Sequence, residues 1–172
     1  VIVACSLDNG IGVGSRLPWK LPRDLAYFER VTRGVRASVY PPGCRNAIIM
    51  GRLTYMSIPA RARPLANRLN VVLTNDAAFI ARQDILTAPT LDDALAQLAT
   101  RTDVADVYIG GGTRVYAEAV EHPHCEQVFL TRVHQTIPEC TAHFPALFGA
   151  ELDVITKAGW RRASHAELKA WL

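Results

Sequence analysis

Twice in this chain an apolar, β-prone run ends on glycine and passes at once into a helical pattern. The two places are Met50-Gly51-Arg52-Leu53-Thr54 and Ile109-Gly110-Gly111-Gly112-Thr113. Strands that feed helices in this way belong to α/β architectures with a mostly parallel sheet. Glycine lets backbone N–H groups approach a ligand closely, and the start of a helix favours an anion. Two such turns suit the two ends of a dinucleotide diphosphate. The same glycines would serve equally to make the turns and nothing more.

The rest of the chain repeats the alternation. Val1–Ser6, Asn46–Met50, Asn70–Thr74, Val104–Ile109 and Gln127–Val133 read as strands, with a short one at Ile85–Leu86. Helices are expected from Pro22, over Gly51–Ile58, over Leu91–Thr100 with Thr90 as N-cap, and over Gly112–Val120. Asn9-Gly10 and Gly12-Val13-Gly14 break the first strand into a loop, and Gly34–Cys44 reads as a long loop. The expectation is one domain over residues 1–172, a central mostly parallel mixed β-sheet flanked by helices on both faces. About half the residues, 49%, are apolar, enough to fill such a core.

Several function classes drop out. No apolar run approaches a membrane span, and no signal-peptide pattern opens the chain. The net charge of +3 arises from scattered residues, nearly all arginine, with no basic cluster of the kind that binds nucleic acid. Cys5, Cys44, Cys125 and Cys140 show no CxxC spacing, which fits a reduced, cytoplasmic setting. His122, His124 and Cys125 lie close together, but Pro123 and the lack of a second ligand pair favour a surface turn over a metal site. The loop at Gly10–Gly14 is neither GxGxxG nor a P-loop and reads as a cover over a site. No GxSxG elbow or nucleophilic triad is present. Asp24 stands in the first turn of a helix whose inner face carries Leu25 and Phe28, so it either looks into an apolar cleft or caps the helix.

Taken together, these strings resemble the dihydrofolate reductase family, and its eukaryotic members in particular. Gly12–Asp24, with Leu17-Pro18-Trp19, looks like the substrate loop and first helix. Asn46–Arg52, Thr54, Ser57-Ile58-Pro59, Arg63-Pro64-Leu65 and Arg68–Leu73 look like the next blocks. Ile109–Tyr116, Phe129-Leu130-Thr131-Arg132 and His143-Phe144-Pro145 follow in the family's order, so the likeness spans Ile2 to Pro145.

The resemblance implies hydride transfer from NADPH to C6 of dihydrofolate with protonation at N5, giving tetrahydrofolate for one-carbon metabolism. Asp24 would orient the pterin, Thr131 would support it, and Trp19 would anchor the cover loop and an ordered water. Leu17, Leu25, Phe28, Ile58 and Leu65 would wall the substrate, and Arg68 would fork its glutamate carboxylate. Ala4, Ile11, Gly12 and Tyr116 would line the nicotinamide side, with a cis peptide at Gly111-Gly112. Arg52, Leu53, Thr54 and Thr113 would meet the cofactor phosphates, and Thr74 and Asn75 the adenosine end.

The expected partners are dihydrofolate and antifolate inhibitors, with no nucleic acid, membrane or metal. The expected state is a monomer unless a thymidylate synthase domain is fused to the chain. Other readings on the same fold are a pteridine or pyrimidine reductase and a non-catalytic folate- or nucleotide-binding relic.

Departures from the family's pattern also carry expectations. Leu53 stands at a usually basic or His position and Asn75 where Arg is frequent, which implies a weakened but retained preference for NADPH over NADH. Gly110 holds a place usually taken by Ile or Val, so either the pocket is roomier or the turn has an extra residue. Tyr55 replaces a Trp and Thr141 an Asp. The family's closing antiparallel strand is expected to be missing after Trp160, and the chain to be a trimmed piece of a longer protein.

Overall fold

A computed structural model describes residues 1–82, 84–147 and 159–171. In chain order the elements are β1 (Ile2–Cys5), β2 (Gly10–Gly12), α1 (Pro22–Arg33), β3 (Arg45–Gly51), α2 (Arg52–Ser57), β4 (Leu69–Leu73), α3 (Ala77–Ile80) and β5 (Leu86–Ala88). There follow α4 (Leu91–Ala99), β6 (Val104–Ile109), α5 (Thr113–Glu121), β7 (Phe129–Arg132), β8 (Ala142–His143) and α6 (His165–Trp171).

The sheet is parallel at its centre, in the order β5-β4-β3-β6, and a second parallel pair joins β1 to β7. The expected sheet is therefore present in two ladders. Among the described residues no backbone pairing links β6 to β1. The Tyr116 hydroxyl crosses that seam instead, donating to the Ile2 carbonyl at 2.9 Å.

Burial on both faces follows from the period-2 geometry of strands. Ala47, Ile49, Val71 and Leu73 pack with α4 and α5, where Leu91, Ala94, Val115 and Ala119 are buried. Ile48, Met50 and Val72 point the other way, toward Val31, Tyr55 and Phe28. Asn46 ties the layers at one end. Its Nδ2 donates to the Thr32 and Gly34 carbonyls at the close of α1, and its Oδ1 accepts from the Asp106 amide in β6.

Local signals behave as physics requires. Pro22 opens α1, where its missing N–H costs nothing, and the Thr90 hydroxyl caps α4 by accepting from the Asp93 amide at 3.1 Å. Two features depart from expectation. The segment read wholly as loop contains β2, because Gly10 and Gly12 pair antiparallel with residues 142–143, far along the chain. Beyond Trp160 a helix forms, α6. Ser164 and Glu167 make a reciprocal capping box before it: the Ser164 amide donates to Glu167 Oε2 at 2.7 Å, and the Glu167 amide to Ser164 Oγ at 3.2 Å. No helix of the described residues is long and apolar enough to cross a membrane.

Hydrogen bonds from Arg161, then from the Ser164 amide and hydroxyl, hold the Glu167 carboxyl down to about 2. A carboxyl depressed on folding stabilises above its ordinary pKa and loses that contribution as pH falls through the folded value. The protection of the α6 amides, their exchange rate relative to the intrinsic rate at each pH, should accordingly hold from neutral pH down to about 4.5 and fall toward about 2. Glu167→Gln should abolish that pH dependence.

Candidate functional site

The two strand–glycine–helix turns lie side by side. The Gly51 amide donates to the Gly111 carbonyl at 2.8 Å, and the Gly110 amide to the Ile49 carbonyl at 2.8 Å. The β3–β6 register is unshifted from Ala47 to Ile49, opposite Val107 to Ile109, and the Gly110 amide continues it onto the Ile49 carbonyl. A Cβ on Gly110 would stand 3.1 Å from Ile48 Cδ1, so the bare backbone makes room at that point.

Gly111-Gly112 is a cis peptide, and Gly111 has φ +105°, a region that side-chain-bearing residues rarely adopt. Its Cβ would lie 2.8 Å from the Tyr116 ring, and one at Gly112 would lie 3.0 Å from Thr54 Oγ1. Neither Gly51 nor Gly112 provides a side-chain cap, so the first N–H groups of α2 and α5 stay available to a ligand. These residues therefore fit a dinucleotide diphosphate. Of the other residues expected near the cofactor, Thr113 Oγ1 is taken by the His143 amide at 3.1 Å, and Thr74 Oγ1 by the Asp76 amide at 3.0 Å. Arg52 pairs with Asp76, while Leu53 and Asn75 are exposed.

Asp24 does not cap its helix. The N-cap position is Leu21, no side-chain cap bond is made, and Asp24 accepts no hydrogen bond among the described residues. It is half-buried and lines an open cleft of about 760 Å³ with Tyr27, Thr131, Arg132 and His134. Thr131 sits on β7 opposite Ala4 of β1. Burial first, then the negative fields of Cys5 and Asp24, push the Tyr116 hydroxyl above its ordinary value.

Phe28, Ile58 and Leu65 pack on one apolar cluster under α1, and the Arg68 guanidinium lies 5.9 Å from the Phe28 ring centroid. Arg68 is 8% exposed. Its Nη1 donates to Thr32 Oγ1 at 2.8 Å and its Nε to the Ala66 carbonyl at 3.1 Å, which leaves the other guanidinium N–H groups for a carboxylate. Burial lowers its pKa, the cost of holding that cation in place. Leu17 and Leu25 are 56% and 54% exposed, with apolar surface that a bound ring would cover. Trp19 is half-buried, and no described contact joins it to Asp24. Ile11 packs on the cluster that contains Tyr116.

The loop over residues 10–16 is held rather than free. Gly14 N–H donates to Thr141 Oγ1 at 2.8 Å, and Thr141 N–H to the Gly12 carbonyl at 2.8 Å. Threonine thus supplies the acceptor that the missing aspartate would have given. Tyr55, in place of the expected Trp, is fully buried and meets Phe79 edge-on at 6.1 Å.

Two residues not expected at the site hold parts of it in place. Thr32 orients Arg68. Arg132 Nη1 donates to the Ser6 carbonyl and to Asn9 Oδ1, both at 2.8 Å, and fixes the turn that follows β1. Arg132 Nε and Nη2 are buried without partners. His122 bonds Asp92 at 3.0 Å, joining α5 to the first turn of α4.

A family model described as dihydrofolate reductase matches residues 1–170. The dihydrofolate reductase of Aedes albopictus is 38% identical over 151 residues, covering 86% of this chain and 78% of its own. That of Pneumocystis carinii is 33% identical over 179 residues, covering 100% of this chain and 84% of its own. A bifunctional dihydrofolate reductase-thymidylate synthase of Glycine max is 38% identical over 150 residues, 84% of this chain and 27% of that one.

Gly111→Ala should destabilise the protein by about 1–3 kcal/mol, through left-handed backbone strain and collision with Tyr116. Denaturant unfolding measures it; an unchanged midpoint would contradict the assigned geometry.

Proposed function

The chain belongs to the dihydrofolate reductase family, and from that premise we propose that it reduces dihydrofolate to tetrahydrofolate with NADPH, using Asp24 as the polar anchor of the pterin. The supporting observation is a half-buried carboxylate that has no hydrogen-bonding partner among the described residues, set in a cleft with Thr131. A carboxylate in that state carries its acceptor capacity into the site, ready for an N–H-bearing ring.

Bound NADPH would supply the hydride that adds to C6 while a proton adds to N5. Asp24 accepts hydrogen bonds from the pterin amide and amino groups, orients the ring and favours its protonated transition state. Thr131 supports it from β7. A water delivers the final proton to N5, since a carboxylate bonded to the far edge of the ring does not touch that atom. Phe28, Ile58 and Leu65 hold the apolar rings and exclude solvent. Arg68, pre-set by Thr32 and Ala66, forks the glutamate carboxylate. The backbone of Gly111–Thr113 and the first turn of α2 take the diphosphate. A cytoplasmic setting accompanies this reading, in keeping with four free thiols.

The test is NADPH oxidation that appears only when dihydrofolate is added; a relic would bind without turnover. Asp24→Asn should lower kcat by about 10²–10⁴-fold. The loss should be greatest at neutral and higher pH, because solvent acid substitutes at low pH; an unchanged rate would refute the role. Arg68→Lys keeps the charge but loses the planar fork. It should raise KM for dihydrofolate at least about tenfold with a smaller change in kcat, since a charged hydrogen bond is worth about 1.5–3 kcal/mol.

A further inference from the structure

β3 and β4 end level with one another, Gly51 being the register partner of Leu73. Just past those ends stand Arg52, on the first turn of α2, and Asp76, the N-cap of α3. Arg52 Nε lies 3.9 Å from Asp76 Oδ2, with the two side chains 43% and 40% exposed. The Arg52 guanidinium also lies 6.0 Å from the Phe79 ring centroid.

Asp76 is itself fixed. Its Oδ1 accepts from the Ala78 amide at 3.0 Å, and its own N–H donates to Thr74 Oγ1 at 3.0 Å. The neighbours Leu53, Thr74 and Asn75 bring no charge. Arg82, which shares the Phe79 ring, is committed to Asp84 by two hydrogen bonds. Arg114 is exposed on the first turn of α5.

In α/β crevices that bind dinucleotides, the diphosphate lies at a strand–glycine–helix turn. A side chain at the end of the neighbouring strand, roughly twenty residues on, meets the adenosine ribose. An acid there suits a free 2′-hydroxyl and an arginine suits a 2′-phosphate. In this chain both side chains are present, and each engages the other.

Resting on the reductase reading above, we propose that Asp76 sets cofactor specificity: it occupies Arg52 and places a carboxylate at the ribose end, so NADPH is only weakly preferred over NADH. A 2′-phosphate must compete with Asp76 for Arg52 and sit against a like charge. A free 2′-hydroxyl leaves the pair intact and finds an acceptor in it. Arg114 stands on the turn that the two nucleotides share and acts on both alike.

The experiment is calorimetry on the full chain with adenosine 2′,5′-bisphosphate and adenosine 5′-monophosphate, alongside steady-state rates with NADPH and NADH. Asp76→Asn keeps the α3 cap, since Asn and Asp cap equally well. It should tighten the bisphosphate about fivefold, as befits release of an exposed ion pair, without tightening the monophosphate. The NADPH-to-NADH ratio of kcat/KM should rise by a like factor, through KM. Adding Arg52→Gln should erase the gain.

The proposal is overturned if Asp76→Asn leaves both probes unmoved, or if the native chain prefers the bisphosphate by more than about a hundredfold. Should the probes behave as stated while neither dinucleotide supports dihydrofolate reduction, the reductase reading fails and the Asp76 assignment stands. Should reduction proceed while Asp76→Asn changes nothing, the reverse holds.

Discussion

A single backbone bond, from the Gly51 amide to the Gly111 carbonyl at 2.8 Å, brings the two strand-to-helix turns together, and the candidate cofactor site exists only while they touch. The contact is close because side chains are absent where they would intrude. A Cβ on Gly51 would press Val115 at 3.4 Å, and one on Gly112 would press Thr54. Behind it lies the parallel register of β3 with both β4 and β6, buried on both faces and anchored at its far end by Asn46. The core thus does more than stabilise: it sets where two short stretches of bare backbone end up.

The substrate side is built on a different principle. There the polar groups are separated by the sheet seam and reach across it. Tyr116 spans from α5 to β1, Arg132 from β7 to the turn after β1, and Asp24 looks in from α1. Buried polar groups are costly unless paired, and here nearly every one finds a partner. Among the described residues the buried side-chain atoms without a partner are Tyr108 Oη, away from the cleft, and Arg132 Nε and Nη2, which belong to its lining, where the half-buried Asp24 carboxylate also accepts no bond. A site that must receive a polar ligand leaves its capacity unspent in this way.

How much of this could be read from the chain depended on how local each signal was. Pro22, Thr90 and the apolar run of β6 act over a few residues, and those elements formed where spacing indicated. Strand β2 escaped because its reason for existing is a partner at residues 142–143. Asp24 was ambiguous by spacing, since a first-turn acid caps or does not according to the rotamer that tertiary contacts permit. Gly110 was ambiguous because a one-residue insertion and a missing side chain look alike in a string; what the fold adds is its amide bond to the Ile49 carbonyl and the closeness of Ile48 to its bare backbone. Leu17 and Leu25 look like wall residues in the sequence, and their exposed apolar surface neither supports nor opposes that, since a wall is covered by its ligand. Arg132 closes the Phe129–Arg132 block, but its bonds to Ser6 and Asn9 come from where β1 and β7 converge.

The loop over residues 10–16 takes its shape from Thr141, 127 positions away, so it cannot be among the first parts to form. Closing so long a chain segment carries an entropic cost that only the finished sheet can offset. The β1–β7 ladder joins residues equally far apart, Ile2 with Phe129, so the cover and that part of the sheet wait on the same late stretch of chain. A chain that stops before β7 lacks Thr131 and Arg132 as well as the anchor of the cover, so the cleft and its cover are completed by neighbouring segments, late and together.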